Sequence, residues 1–219
     1  MSHLPPIRRR TLCYVTDRKA LAGPAEEQIR LLLEKMESAA LAGVDWIQIR
    51  EKDLSGRELA ALVREGLRRV PNSCRVLVND RLDVAFGVGA GGVHLGERSV
   101  PVEEAKRLVR ERKLEERFLV GSSTHSLEAA KAAEKAGADY VIFGPVFETP
   151  SKVAYGQPQG VERLAQVCRS VTIPVMAIGG ITMENARDCV AAGAAGLAAI
   201  RLFQDAGDVA AVVRALREP

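Results

Sequence analysis

Short apolar, β-branched runs recur along the chain, each ending in polar or glycine residues and each followed by apolar positions at helical spacing. Residues 12–17 form the first predicted strand, and after Pro24 a helix carries Ile29, Leu32, Leu33 and Met36 on one face. The second strand spans 46–50. Ser55, with Glu58 three residues on, predicts a capping box that opens a helix burying Leu59, Leu62, Val63 and Leu67. A third strand at 76–80 precedes a short helical piece at 82–88, and a fourth at 92–95 precedes a charged helix with Pro101 in its first turn, running through Val109. The fifth strand is expected at 118–121. Ser126 caps an alanine-rich helix over 127–136 that stops at Gly137 and leads to a sixth strand at 140–143. A long loop at 147–159, a helix at 161–168, a strand at 174–178 ending in Gly179-Gly180, a helix at 184–192, a strand at 196–200 and a helix at 209–216 complete the pattern.

About eight strand–helix units are the number that a closed (βα)8 TIM barrel needs, and strands apolar on both faces suit a sheet covered outside by helices and filled inside by side chains. An open doubly wound sheet is the alternative. The glycine-rich GxGxxG turn that such a sheet often carries after its first strand is missing. The expectation is one barrel domain over residues 1–219, with 1–10 a flexible N-terminal arm.

Composition narrows the class. The 219 residues are 47% hydrophobic, enough for one sizeable core, and no apolar run approaches the roughly 20 residues of a membrane span. The N-terminus lacks the apolar core of a secretory signal, so a cytoplasmic protein with no membrane association is expected. Cys13, Cys74, Cys168 and Cys189 show no CxxC spacing and no adjoining histidine, which reads as reduced thiols. A net charge of +3 is mild, and Arg8-Arg9-Arg10 reads as a solvated arm, not a nucleic-acid surface. A homodimer stays open, without a decisive apolar patch.

Polar residues cluster where the predicted strands end, the positions that converge on one mouth of a barrel. Gln48, Arg50 and Lys52 alternate, so they share a face and could cradle an anion; the competing reading is ion pairing with Glu51 or Asp53. Asn79-Asp80 suits Mg²⁺, or else caps the next helix. Ser123, Thr124 and His125 follow the fifth strand, His125 being a candidate proton shuttle or a helix cap, while His94 reads as a hydrogen-bonded barrel residue. Thr149, Ser151 and Lys152 bring hydroxyls and an ammonium to the longest loop, which Pro150 and Pro158 could instead merely stiffen. Gly179-Gly180 and Ile200-Arg201 lie after the seventh and eighth strands, where barrels often bind phosphate; the glycines could also serve only a tight turn.

Six segments in order, Gln48-Ile49-Arg50-Glu51-Lys52, Val78-Asn79-Asp80-Arg81, Gly92-Val93-His94-Leu95-Gly96, Ala138-Asp139-Tyr140, Thr149-Pro150-Ser151-Lys152 and Ala177-Ile178-Gly179-Gly180-Ile181, resemble the thiamine phosphate synthase family with its TenI-type thiazole tautomerases. The resemblance implies a transferase that joins hydroxymethylpyrimidine diphosphate to thiazole phosphate. It implies Gln48, Arg50, Lys52, Asn79, Ser123 and the catalytic cation Lys152 on the pyrimidine diphosphate, and Asp80 on Mg²⁺ as cofactor. Thr149, Ser151, Gly180, Ile200 and Arg201 would hold the thiazole phosphate. Two positions depart from the family pattern: Ser99 stands where a second Mg²⁺ carboxylate is usual, which leaves Asp80 and substrate oxygens on the ion with Ser99 or Glu97 acting through water, and Arg201 stands where serine is usual. The segments Thr124-His125-Ser126-Leu127-Glu128 and 143–149 resemble the tautomerases, in which the histidine matching His125 shuttles the proton. A non-catalytic barrel that binds thiamine-related phosphates is the third reading.

Overall fold

A parallel sheet of short, doubly apolar strands leaves unpaired backbone groups at its edges unless it closes on itself. In a computed structural model, which describes residues 10–149 and 157–218, eight parallel strands close into a barrel in chain order. They are β1 (Thr11–Val15), β2 (Trp46–Ile49), β3 (Arg75–Asn79), β4 (Gly92–Leu95), β5 (Leu119–Thr124), β6 (Tyr140–Phe143), β7 (Val175–Ile178) and β8 (Gly196–Ala199). Closure is made at β1, where Cys13 lies opposite Trp46 on one side and Ala198 on the other.

Helices α1 (Ala25–Leu41), α2 (Gly56–Arg69), α3 (Leu82–Val88), α4 (Val102–Glu111), α5 (Leu127–Lys135), α6 (Gly160–Ser170), α7 (Ala186–Ala191), α8 (Arg201–Gln204) and α9 (Val209–Arg217) accompany them. The capping box at Ser55 and Glu58 forms with both of its hydrogen bonds, and Ser126 caps α5 by accepting from Ala129 N–H. Among the described residues no helix is long and apolar enough to cross a membrane.

The two-residue period of a strand divides the interior in two. Outward side chains such as Leu12, Ile47, Val76, Val93 and Val120 meet the helices in the larger apolar cluster. Inward side chains, Cys13, Val15, Trp46, Leu77, Leu119, Tyr140, Ile142, Met176 and Ala198, fill the barrel itself. Trp46 and Tyr140 pack with ring centroids 4.8 Å apart. Gly121, register partner of Tyr140, leaves the ring its place, because a Cβ there would overlap it. With these large side chains filling the barrel, ligand space remains at the C-terminal mouth.

Several boundaries differ from those predicted. β5 continues through Ser123 and Thr124, paired with Ile142 and Phe143, because polarity at a strand's C-terminal end marks the mouth and not the end of the ladder. Pro101 is the N-cap of α4, one place before the helix proper. α7 begins at Ala186, since the preceding turn is held by Thr182 N–H donating to Asn185 Oδ1. The short α8 was not foreseen. Of the arm predicted over 1–10, residues 1–9 lie outside the described ones, and Arg10 Nη1 donates to the carbonyls of Leu216 and Glu218 at 3.3 and 3.0 Å.

Candidate functional site

Every strand contributes its last inward position to one cavity of about 460 Å³ at the C-terminal mouth: Val15, Gln48, Asn79, His94, Ser123, Ile142, Ile178 and, just past β8, Ile200. The size suits a small-molecule site. The lining is two-sided. β2 to β5 supply two amides, an imidazole and a hydroxyl, whereas β6 to β8 and β1 supply aliphatic side chains. Arg50, Lys52 and Arg98 bring positive charge to the rim, with Asp80 and Glu97 as the carboxylates.

At the end of β2, Gln48 Nε2 donates to Asn79 Oδ1 at 3.0 Å, and buried Gln48 Oε1 has no hydrogen-bond partner among the described residues. An unpaired buried acceptor is costly unless a ligand N–H meets it. Arg50 and Lys52 face the cavity as the alternation predicts, and the competing ion pairs with Glu51 and Asp53 do not form. Arg18 bonds both acids instead, at 3.1 Å to Glu51 and 2.7 Å to Asp53, and Lys19 also pairs with Asp53 at 3.1 Å. The Arg18 hydrogen bonds hold the Asp53 carboxyl well below the usual range, while burial pushes that of Glu51 up.

Asp80 follows β3 with φ +68°, a left-handed conformation that aspartate enters more readily than most residues. It does not cap α3, whose N-cap is Arg81. Its Oδ1 accepts from Ser99 Oγ, which itself accepts from Gly96 N–H at 2.7 Å. Ser99 therefore stands directly beside Asp80.

His125 lies at the rim, its Nδ1 bonded to the Gly144 carbonyl and its Nε2 4.0 Å from Glu97 Oε1. A carbonyl only accepts, so Nδ1 carries a proton and Nε2 is the atom that can exchange one. His94 is the hydrogen-bonded barrel residue expected, with Nε2 2.9 Å from Ser123 Oγ and Nδ1 3.2 Å from Tyr140 Oη, yet it also lines the cavity. Burial raises the Tyr140 hydroxyl well above its ordinary pKa, so it stays a phenol within this chain of contacts.

The loops after β6, β7 and β8 meet beside the cavity. Arg201 Nη2 is 3.5 Å from Thr149 Oγ1, and Gly180, at φ +64°, packs so closely on Phe147 and the Glu148 carbonyl that a Cβ would not fit. Thr149, Gly180 and Arg201 thus adjoin the mouth without lining it, unlike Ile200. Ser151 and Lys152 lie outside the described residues. The residue pattern missed Arg98, although a charge after a strand end was a usable signal, whereas Glu97, expected only as a water-mediated substitute for the absent carboxylate, does line the cavity. Val15, Ile142 and Ile178 carried no signal, being indistinguishable in sequence from core residues.

The thiamine monophosphate synthase family model matches residues 12–203. A thiamine-phosphate synthase of Methanoculleus marisnigri is 44% identical over 182 residues, covering 82% of this chain and 83% of the relative. One from Syntrophomonas wolfei is 38% identical over 211 residues, covering 95% of each. Among solved structures, a thiamine phosphate pyrophosphorylase from Pyrococcus furiosus superposes with a TM-score of 0.80 at 35% identity, covering 94% of this chain and 93% of its own.

Proposed function

Because the chain belongs to the thiamine monophosphate synthase family, we infer that it is a thiamine-phosphate synthase, a transferase of thiamine biosynthesis. Its reaction joins hydroxymethylpyrimidine diphosphate to thiazole phosphate with loss of diphosphate. The observation that carries the reading is the two-sided mouth, amide, imidazole and hydroxyl groups with Arg50, Lys52 and Arg98 on one side and an aliphatic wall on the other. Such a mouth accepts a flat ring and an anion together.

In this reading Gln48 and Asn79 orient the pyrimidine, and the unpaired Gln48 Oε1 accepts from its amino group. Arg50 and Lys52 bind the diphosphate and stabilise the charge that grows on it as it departs, with Ser123 as a further donor and Lys152 as the cation of the β6 loop. Thr149, Ser151, Gly180, Ile200 and Arg201 hold the thiazole phosphate, which sets the ring nitrogen beside the carbon that loses diphosphate.

The donor set fits a Mg²⁺ ion that arrives with the diphosphate and not a resident metal cage. Asp80 offers one carboxylate with the Ser99 hydroxyl against it, and no cluster of three or more His, Cys, Asp or Glu suited to a metal exists among the described residues. Magnesium commonly takes one or two carboxylates and completes its shell with phosphate oxygens and water. When bound it would neutralise charge on the leaving diphosphate. A cytoplasmic location belongs to the same reading.

His125 favours one second reading, a thiazole tautomerase, because its Nε2 is the atom able to exchange a proton at the rim. The deciding experiment supplies purified protein with both substrates and Mg²⁺. Thiamine phosphate is the expected product. Absence of product, together with tautomerisation of thiazole phosphate that is lost in His125→Ala, would replace the synthase reading.

A further inference from the structure

Past the end of β2 the chain continues into the mouth as Arg50-Glu51-Lys52-Asp53, so cations at the cavity alternate with carboxylates. In a cleft where water screens poorly, a carboxylate turned onto Arg50 or Lys52 would cancel the charge the ligand needs. A third cation lies against both carboxylates. Arg18, in the 3₁₀ turn after β1, bonds Glu51 Oε2 at 3.1 Å and clasps Asp53 with Nη1 to Oδ1 and Nη2 to Oδ2, each 2.7 Å. Its backbone N–H donates to both Glu51 oxygens at 3.2 Å.

Thr16 couples this brace to the site. Its hydroxyl donates to Glu51 Oε1 at 2.6 Å and accepts from the Arg50 backbone N–H at 2.9 Å. The Arg18 and Glu51 side chains are only 8% and 2% exposed and neither lines the cavity, whereas that of Asp53 is 40% exposed and also pairs with Lys19 Nζ at 3.1 Å. Among the described residues, no ion pair engages Arg50 or Lys52.

We propose that Arg18 is a positioning residue for diphosphate binding: it holds buried Glu51 and, together with Lys19, Asp53 away from Arg50 and Lys52 and so leaves these two cations without an ion pair to their neighbouring acids at the mouth. This rests on the mouth being the diphosphate site. Arg18 never touches the ligand, so its contribution vanishes once the two acids are gone. A direct ligand contact or a purely structural ion cluster would behave differently.

The test titrates inorganic diphosphate with Mg²⁺ into the wild-type protein, Arg18→Met, Arg18→Lys and the triple variant Arg18→Met/Glu51→Met/Asp53→Asn, and measures KM for each substrate. Arg18→Met is expected to weaken diphosphate binding about tenfold and to raise KM for the pyrimidine diphosphate alike, with KM for the thiazole phosphate within about twofold. Arg18→Lys, which keeps the charge without the fork, should fall between. The triple variant should return to within about threefold of wild type, since neutral replacements of a buried ion cluster are commonly tolerated. Wild-type affinity in Arg18→Met, or a triple variant that binds as weakly as Arg18→Met, overturns the proposal. If Arg18→Met does not fold, the triple variant decides alone, with a tenfold loss counting against. A wild-type protein that binds no diphosphate would remove the site itself.

Discussion

Ser99 shows how one side chain sets the electrostatics of a site. Its hydroxyl donates to Asp80 and accepts from the Gly96 N–H, so a neutral donor stands against Asp80 where a second carboxylate would add charge. Adding a carboxylate should tighten the grip on a divalent ion, because affinity at oxygen sites rises with the charge of the ligand set. Ser99→Asp is expected to lower the Mg²⁺ concentration for half-maximal coupling by roughly tenfold. A magnesium titration of the coupling rate checks this, and an unchanged midpoint would mean that Asp80 is not at the metal. Arg201 is the milder departure from the family pattern, for its guanidinium reaches the neighbourhood of Thr149 and keeps a donor beside the mouth.

The elements differ in how much their own residues specify. α2 is locally determined: Ser55 accepts from Glu58 N–H, the Glu58 carboxylate answers to the Ser55 N–H at 2.9 Å, and Leu59, Leu62 and Val63 are buried on one face. Ser55→Ala should cost about 1 kcal/mol, seen as a urea midpoint that falls at constant m with the coupling rate per folded molecule unchanged. β5 is the opposite case. Ser122 and Ser123 have no strong claim to strand by composition, yet they and Thr124 pair with Val141, Ile142 and Phe143 because the barrel carries β6 alongside them.

Across the molecule, the end of the barrel opposite the mouth ties the last helix to the first strands. Arg217 Nη2 donates to Asp45 Oδ2 at 2.6 Å and to the Gly43 carbonyl at 2.9 Å, and Asp45 Oδ2 also accepts from Leu12 N–H at 2.7 Å. The Arg217 side chain is 19% exposed and that of Asp45 34%, so screening reduces the pair's worth. Arg217→Met is expected to remove about 1 kcal/mol, lowering Tm by about 2–4 °C in a barrel that still melts in one step. A biphasic melt would show that α9 unfolds apart from the closed sheet.

Periodicity and turn chemistry are local, and they were sufficient for the eight strands, most helix starts, the cap at Ser55 and the alternation that aims Gln48, Arg50 and Lys52 together. Motif order was sufficient for the family. What the chain's order does not express is which distant side chains share a neighbour. Only closure brought Arg18 onto Glu51 and Asp53, so that these acids do not form the alternative ion pairs with Arg50 and Lys52. Only closure set His94 between Ser123 and Tyr140, and turned ordinary core aliphatics such as Ile142 and Ile178 into a cavity wall. The reason is physical: a strand's residues fix which face a side chain takes, whereas its partner depends on register and curvature around the ring, which belong to all eight strands at once.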